Sequence, residues 1–288
     1  MVGGLILVII CLVAVIVASY AVIRFLTQVF SEWWSKPIEP ALQLPLPSVT
    51  GPECLVLAFA DMFIEPVQSP PEHLKAYFSP VPSSDVHVSN KQLVEEMFFA
   101  SFVWLSCEGA IEWSIQKRNV DPFSPFPPRD WELHMRPVRA FPRTPFARNL
   151  EVGFRRALKA WFIHKPGDQT APVEEVIEFA LREIRRLTGW AKLTGDAYRD
   201  LIQYVQQFLA ERGLYEVSEE KGLFGKRRIM FKPIKERINE LRTQAEQLKV
   251  QLMQFIDQEP VLAKQLRTSI SEGLAAIKQI EPDRNAIF

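Results

Sequence analysis

Arg212-Gly213-Leu214-Tyr215-Glu216-Val217, answered downstream by Arg228-Ile229-Met230-Phe231-Lys232, is the stretch that decides the fold class. Upstream, Leu201, Ile202, Val205, Phe208 and Leu209 recur at helical spacing from Asp196 to Arg212. Gly213 then reads as a left-handed helix cap. Two short runs around Lys221-Gly222-Leu223-Phe224-Gly225-Lys226 read as a hairpin. The same order occurs earlier in the chain. A helix capped by Ser89 or Asn90 runs to about Cys107, and Glu108-Gly109-Ala110-Ile111 opens a strand that alternates with period two to Gln116. A loop with Pro122, Pro125, Pro127 and Pro128 separates it from a partner strand at Trp131 to Arg136. The expectation is a mainly α chain with short β-hairpins, an α+β fold built on two related modules.

Between the hairpins lie two more amphipathic patterns. Leu150, Phe154, Leu158, Trp161 and Phe162 mark a helix over 146–163. Val173, Val176, Ile177, Ala180, Leu181, Ile184 and Leu187 mark another, opened by Pro172 and stopped at Gly189. Three helices followed by a hairpin resembles the element order of a winged-helix domain, over about 150–232. The resemblance implies nucleic-acid binding as one option. The helix of 196–212 argues against it, since it sets only Arg199 and Arg212 against Asp196, Asp200 and Glu211.

At the start of the chain, Val2 to Ile23 contains no charged side chain. As a helix it would be roughly 33 Å long, enough for a hydrocarbon core of about 30 Å. Residues 1–26 are therefore expected to form a transmembrane anchor, retained rather than cleaved. Arg24 and Lys36 follow the span, and Trp33-Trp34 sit where an interfacial belt would, so the C-terminal part is expected on the cytoplasmic side of a single-pass protein. Residues 27–52, with Trp33, Trp34 and five prolines, read as a juxtamembrane spacer.

The remaining divisions are a first α+β unit with proline-rich loops (53–145), a winged-helix-like unit (146–232) and C-terminal helices (233–288). In the first unit Cys54-Leu55-Val56-Leu57-Ala58-Phe59 reads as a short buried strand. In the last, Ile234, Ile238, Leu241, Ala245, Leu248, Leu252 and Phe255 step alternately by four and three, which is a heptad seam. Two outcomes fit it: a fold-back pair with the helix of 261–280, or a coiled coil joining two copies through 234–256.

Chemistry-bearing patterns are sparse. His73, His87, His134 and His164 are scattered, and none forms, with another ligand type at i, i+3 or i, i+4, a pair that would make a metal site. On its strand, His134 is expected to be a hydrogen-bonded structural residue. Gly222-Leu223-Phe224-Gly225-Lys226 lacks the glycine spacing and the Ser/Thr of a nucleotide loop. The expectation is a non-enzymatic interaction or scaffold protein with no cofactor and no bound metal.

Charge distribution is the strongest functional signal. Formal net charge is zero, yet Arg136, Arg139, Arg143, Arg148, Arg155, Arg156, Lys159 and Lys165 are opposed within their stretch only by Glu151. Lys226, Arg227, Arg228, Lys232 and Lys235 form a second cluster. Anionic lipid headgroups or an acidic protein are the natural counter-charges for such a surface. The alternative is that acidic helices such as 172–183 and 211–220 neutralise these cations within the fold.

Overall fold

The computed structural model describes residues 50–117, 131–162, 169–188, 197–221 and 227–275, with backbone alone at 161–162, 187–188, 220–221 and 227–228. The first element, α1 (Pro52–Ala58), starts on a proline whose fixed φ suits a first helical turn, and all its residues are buried. The Cys54 to Phe59 run is thus a buried helix, not the expected strand. A continuous apolar run signals burial on every side without choosing a period, and Pro52 at its head tips the choice. Two 3₁₀ turns (Ala60–Met62 and Glu72–Tyr77) and a small ribbon, β1 (Phe78–Pro80) with β2 (His87–Ser89), lead into α2 (Asn90–Cys107).

Helix α2 is the centre of the core. Leu93, Val94, Met97, Phe98, Phe99, Phe102, Val103 and Leu105 are all buried and cover much of its circumference. Each large apolar side chain buried there contributes about 1.5–3 kcal/mol. Phe98 stacks on Phe146 with centroids 4.3 Å apart, and Phe99 meets Phe255 edge-on at 6.3 Å. The helix ends in a Schellman cap: Gly109 has φ 63°, its N–H donates to Ser106 O at 2.9 Å, and Ala110 N–H donates to Leu105 O at 2.8 Å. β3 (Ile111–Lys117) and β4 (Trp131–Pro137) follow as an antiparallel hairpin, Ile111 opposite Pro137.

The second module repeats this construction. After α3 (Pro145–Phe162), β5 (Ala171–Pro172), α4 (Val173–Thr188) and α5 (Ala197–Glu211), Gly213 has φ 72°. Its N–H donates to Ala210 O at 2.9 Å, and Leu214 N–H donates to Leu209 O at 2.9 Å. β6 (Tyr215–Lys221) and β7 (Arg227–Pro233) then pair with Tyr215 opposite Pro233. The two hairpins share their phase: Val138 N–H donates to Ala110 O, and Ile234 N–H donates to Leu214 O. In each, an arginine guanidinium closes over the capping glycine, Arg139 over Gly109 and Arg237 over Gly213.

One difference separates the repeats. The short strand β5, between α3 and α4, pairs with β4, with Met135 opposite Ala171 and His134 opposite Pro172. Among the described residues, the sheet of β6 and β7 has two strands only.

Helix α4 lies between α3 and α8 (Pro260–Ala275), and a glycine sits at each crossing. A Cβ on Gly153 would fall 2.2 Å from Val176 O, and one on Gly273 would fall 2.9 Å from Ile177 Cβ. The heptad segment divides into α6 (Lys235–Asn239) and α7 (Arg242–Gln258). Ile238, Ala245, Leu248, Leu252 and Phe255 are buried, and α7 packs on α1 and α2 of the same chain. Of the two outcomes that fit the seam, a fold-back pair or a coiled coil joining two copies through 234–256, the structure covers it within one chain, with α1 and α2 as the main partners. Helix α8 touches α7 but rests mainly on α4 and α2.

Among the described residues no helix is long and apolar enough to cross a membrane. The most apolar of the long helices, α2, carries Lys91, Glu95 and Glu96 in its first turns, and other helices surround it. The expected anchor of Val2 to Ile23 and nearly all of the 27–52 spacer lie outside the described residues. The reading of an integral single-span protein with a cytoplasmic C-terminal part is corrected accordingly: no described element spans a bilayer.

Candidate functional site

The first basic cluster is divided among several elements. Arg136 on β4 pairs across the ladder with Glu112 at 2.5 Å, and Arg139 covers Gly109. Arg143 is half-buried in the approach to α3. Arg148, Arg155, Arg156 and Lys159 lie on α3, and Lys165 lies outside the described residues. Of the second cluster, Lys226 lies outside the described residues. Arg227, Arg228 and Lys232 are strand residues of β7, and Lys235 pairs with Asp85 at 3.5 Å.

On α3 and α4 the cations meet one acid. Glu183 is nearly buried, and Arg156 reaches it at 2.8 Å from the neighbouring helix. Arg186, one helical turn on, donates to it from Nε at 3.2 Å and from Nη2 at 2.7 Å. Burial pushes this carboxyl up, but the hydrogen bonds from Arg186 and the charges of Arg156, Arg186 and Arg148 outweigh burial and hold it below the usual carboxylate range. Neutralisation from an acidic helix, one of the two expected outcomes, thus occurs at this point. It is incomplete, because two guanidiniums share one carboxylate. Arg155 pairs with Glu151 at 2.6 Å.

Sequence order also sorts charge along α4. Glu174, Glu175 and Glu178 precede Arg182, Arg185 and Arg186, which suits the helix dipole at both ends. The pairing of Arg186 with Glu183 one turn away is visible in the sequence, but the approach of Arg156 from α3 is not.

A second polar group ties the first hairpin together. His134 is fully buried, with Nε2 3.3 Å from Glu132 Oε2 and Nδ1 3.1 Å from Thr170 Oγ1. Gln116 Nε2 donates to Thr170 Oγ1 at 2.9 Å. The chain of bonds links β3, β4 and the residue before β5, which is the structural histidine expected on that strand. His73 is exposed, His87 half-buried, and His164 lies outside the described residues. Among the described residues no group of three or more His, Cys, Asp or Glu is placed to hold a metal. The chain matches no family model, no curated protein and no solved structure.

Proposed function

We propose that the protein is a non-enzymatic interaction module whose α3–α4 face receives an acidic segment of a protein partner. One observation carries the reading: Arg156 and Arg186 both pair with the single carboxylate of Glu183, and the charge of Arg148 also acts on it, which leaves a local surplus of positive charge. Arg186 is 68% exposed, so a second carboxylate can reach it from solvent. Arginine suits that role, since its planar fork can bond two carboxylates at once. A winged-helix-like reading of the second module with nucleic acid as ligand has less support. On α5 the cation Arg199 is exposed, whereas Arg212 is half-buried and stacks over Phe208 with 4.3 Å to the ring centroid.

The test uses the full chain and labelled poly-L-glutamate at low salt. Saturable binding is expected, weakened about tenfold in Arg148→Ala/Arg186→Ala, as losing one to two charge-assisted contacts implies. Binding should also fall as salt rises. Unchanged binding in the double variant overturns the reading, as does tighter binding of a DNA duplex than of polyglutamate. Thermal melting of the variant shows that its fold is retained, because Arg156 still pairs with Glu183.

A further inference from the structure

The repeated modules show what the second hairpin lacks. In the first, the outer edge of β4 receives β5, and Met135 pairs with Ala171. Ile111 and Tyr215 occupy matching places after their glycines, and so do Pro137 and Pro233 at the far ends of the second strands. Counting back two residues from each proline, Phe231 is the counterpart of Met135. At that edge of β7, among the described residues, no strand is seated.

Backbone phase fixes which groups are on offer. Ile234 N–H bonds Leu214 O, so the ladder bonds fall at Leu214/Ile234, Glu216/Lys232 and Ser218/Met230. The N–H and C=O groups of Ile229 and Phe231 therefore face outward from β7. Pro233 has no N–H to offer and closes the edge on one side.

The side chains give the seat its chemistry. Val217, opposite Phe231, is 56% exposed, and Ile229 is 50% exposed on the same face of the ribbon. Lys232 projects from the other face and is exposed, with Glu216 of β6 across from it on its inner side, and β7 itself reads Arg227-Arg228-Ile229-Met230-Phe231-Lys232 with no acid along the outer edge. Two copies joined β7 to β7 would bring these like charges together, which disfavours self-pairing.

We propose that the outer edge of β7 is a docking seat for an extended strand of a partner protein in which apolar and acidic residues alternate. Its apolar residues lie beside Ile229 and Phe231, its acidic residues lie beside Lys232, and its backbone completes the three-stranded sheet that β5 completes in the first module. This interface does not depend on the α3–α4 face.

The experiment presents the full chain with a capped peptide of about seven residues alternating glutamate and valine, a length that spans the strand. Saturable binding is expected, with slowed hydrogen exchange at the amides of Ile229 and Phe231. The same peptide N-methylated at alternate residues keeps its charge and side chains but cannot form the ladder, and should bind at least about tenfold more weakly. Lys232→Glu should weaken the unmethylated peptide by a similar factor, and Phe231→Pro, which removes an N–H outside the β6–β7 ladder, should abolish protection at Ile229. Equal binding of the methylated peptide, protection that maps elsewhere, or no saturable binding overturns the proposal. Protection of the β7 edge by self-association of the protein alone also overturns it, in favour of a second copy.

Discussion

Gly153→Ala is expected to destabilise the protein by about 1–3 kcal/mol, although alanine is the better helix former by about 1 kcal/mol. The reason is where the new methyl group would go. A Cβ at position 153 would lie 2.2 Å from Val176 O and 2.9 Å from Ala180 N, both backbone atoms of α4. No side-chain rotation relieves such a contact, so the two helices must separate. Their interface buries Leu150, Phe154 and Ala157 against Val176, Ile177, Ala180 and Leu181, and any separation loosens all of them. For a chain of this size each kcal/mol corresponds to about 2–4 °C in Tm. Gly153→Val should be worse, since it adds a β-branched side chain to the same crossing. Gly273→Ala should be milder, because its contacts, Ile177 Cβ at 2.9 Å and Glu174 O at 3.0 Å, are longer than the 2.2 Å contact at Gly153 and need a smaller separation of α8 from α4. Melting curves of the three variants test the order. A higher Tm for Gly153→Ala would show that α3 and α4 are not in contact at this depth.

That crossing also marks the limit of what the sequence makes legible. Gly109 and Gly213 could be placed as left-handed caps because few other residues adopt that conformation at a helix end, and strand patterns follow directly. Helices α2 to α5 could be placed because each carries several turns of regular spacing. Gly153 carries no such mark: a glycine inside an amphipathic helix looks like a weakness until its neighbour is known. The same holds for Glu183, whose two arginine partners come from two helices. Pro172 was expected to open a helix, and it sits instead in a strand of two residues, too short to have a period. The heptad seam of α6 and α7 was readable as apolar, but not its partner. Hydrophobic spacing says that a face will be covered, and only the fold says by what. In Cys54 to Phe59 even the period was absent, because every side of α1 is buried. The basic clusters show the converse case. Counting charge along the chain grouped Arg136 with Arg156, whereas the fold gives one to a hairpin and the other to a helix pair.

Replacing Glu53 by glutamine is expected to remove one component of the pH dependence of stability and to favour the variant increasingly above acidic pH. Glu53, on α1, is fully buried. Its Oε1 accepts the N–H of Phe146 at 3.0 Å, in the first turn of α3, and its Oε2 lies 3.2 Å from Ser101 Oγ. One side chain thereby joins α1, α2 and the start of α3. Burial pushes its carboxyl above the ordinary 4.5, and hydrogen bonds from Phe146, Thr144, its own backbone N–H and Ser101 offset this only in part. The sign follows from linkage. With the folded-state pKa raised, the folded protein holds the proton more tightly than the unfolded chain. That stabilisation is fully present below the unfolded pKa and is lost as pH rises through the folded value. Glutamine keeps an acceptor for the Phe146 N–H, and its amide can donate to Ser101 Oγ, whose one proton then goes to Met97 O, 2.8 Å away, instead of to position 53. It does not ionise. Urea titrations of both proteins between about pH 4 and 8 should therefore show the stability of wild type minus variant falling as pH rises. A difference that rises with pH would mean that the donors around Glu53 outweigh its burial and favour the carboxylate. Glu53→Leu separates charge from hydrogen bonding: it leaves the Phe146 N–H orphaned and should cost about 1–3 kcal/mol relative to Glu53→Gln at every pH.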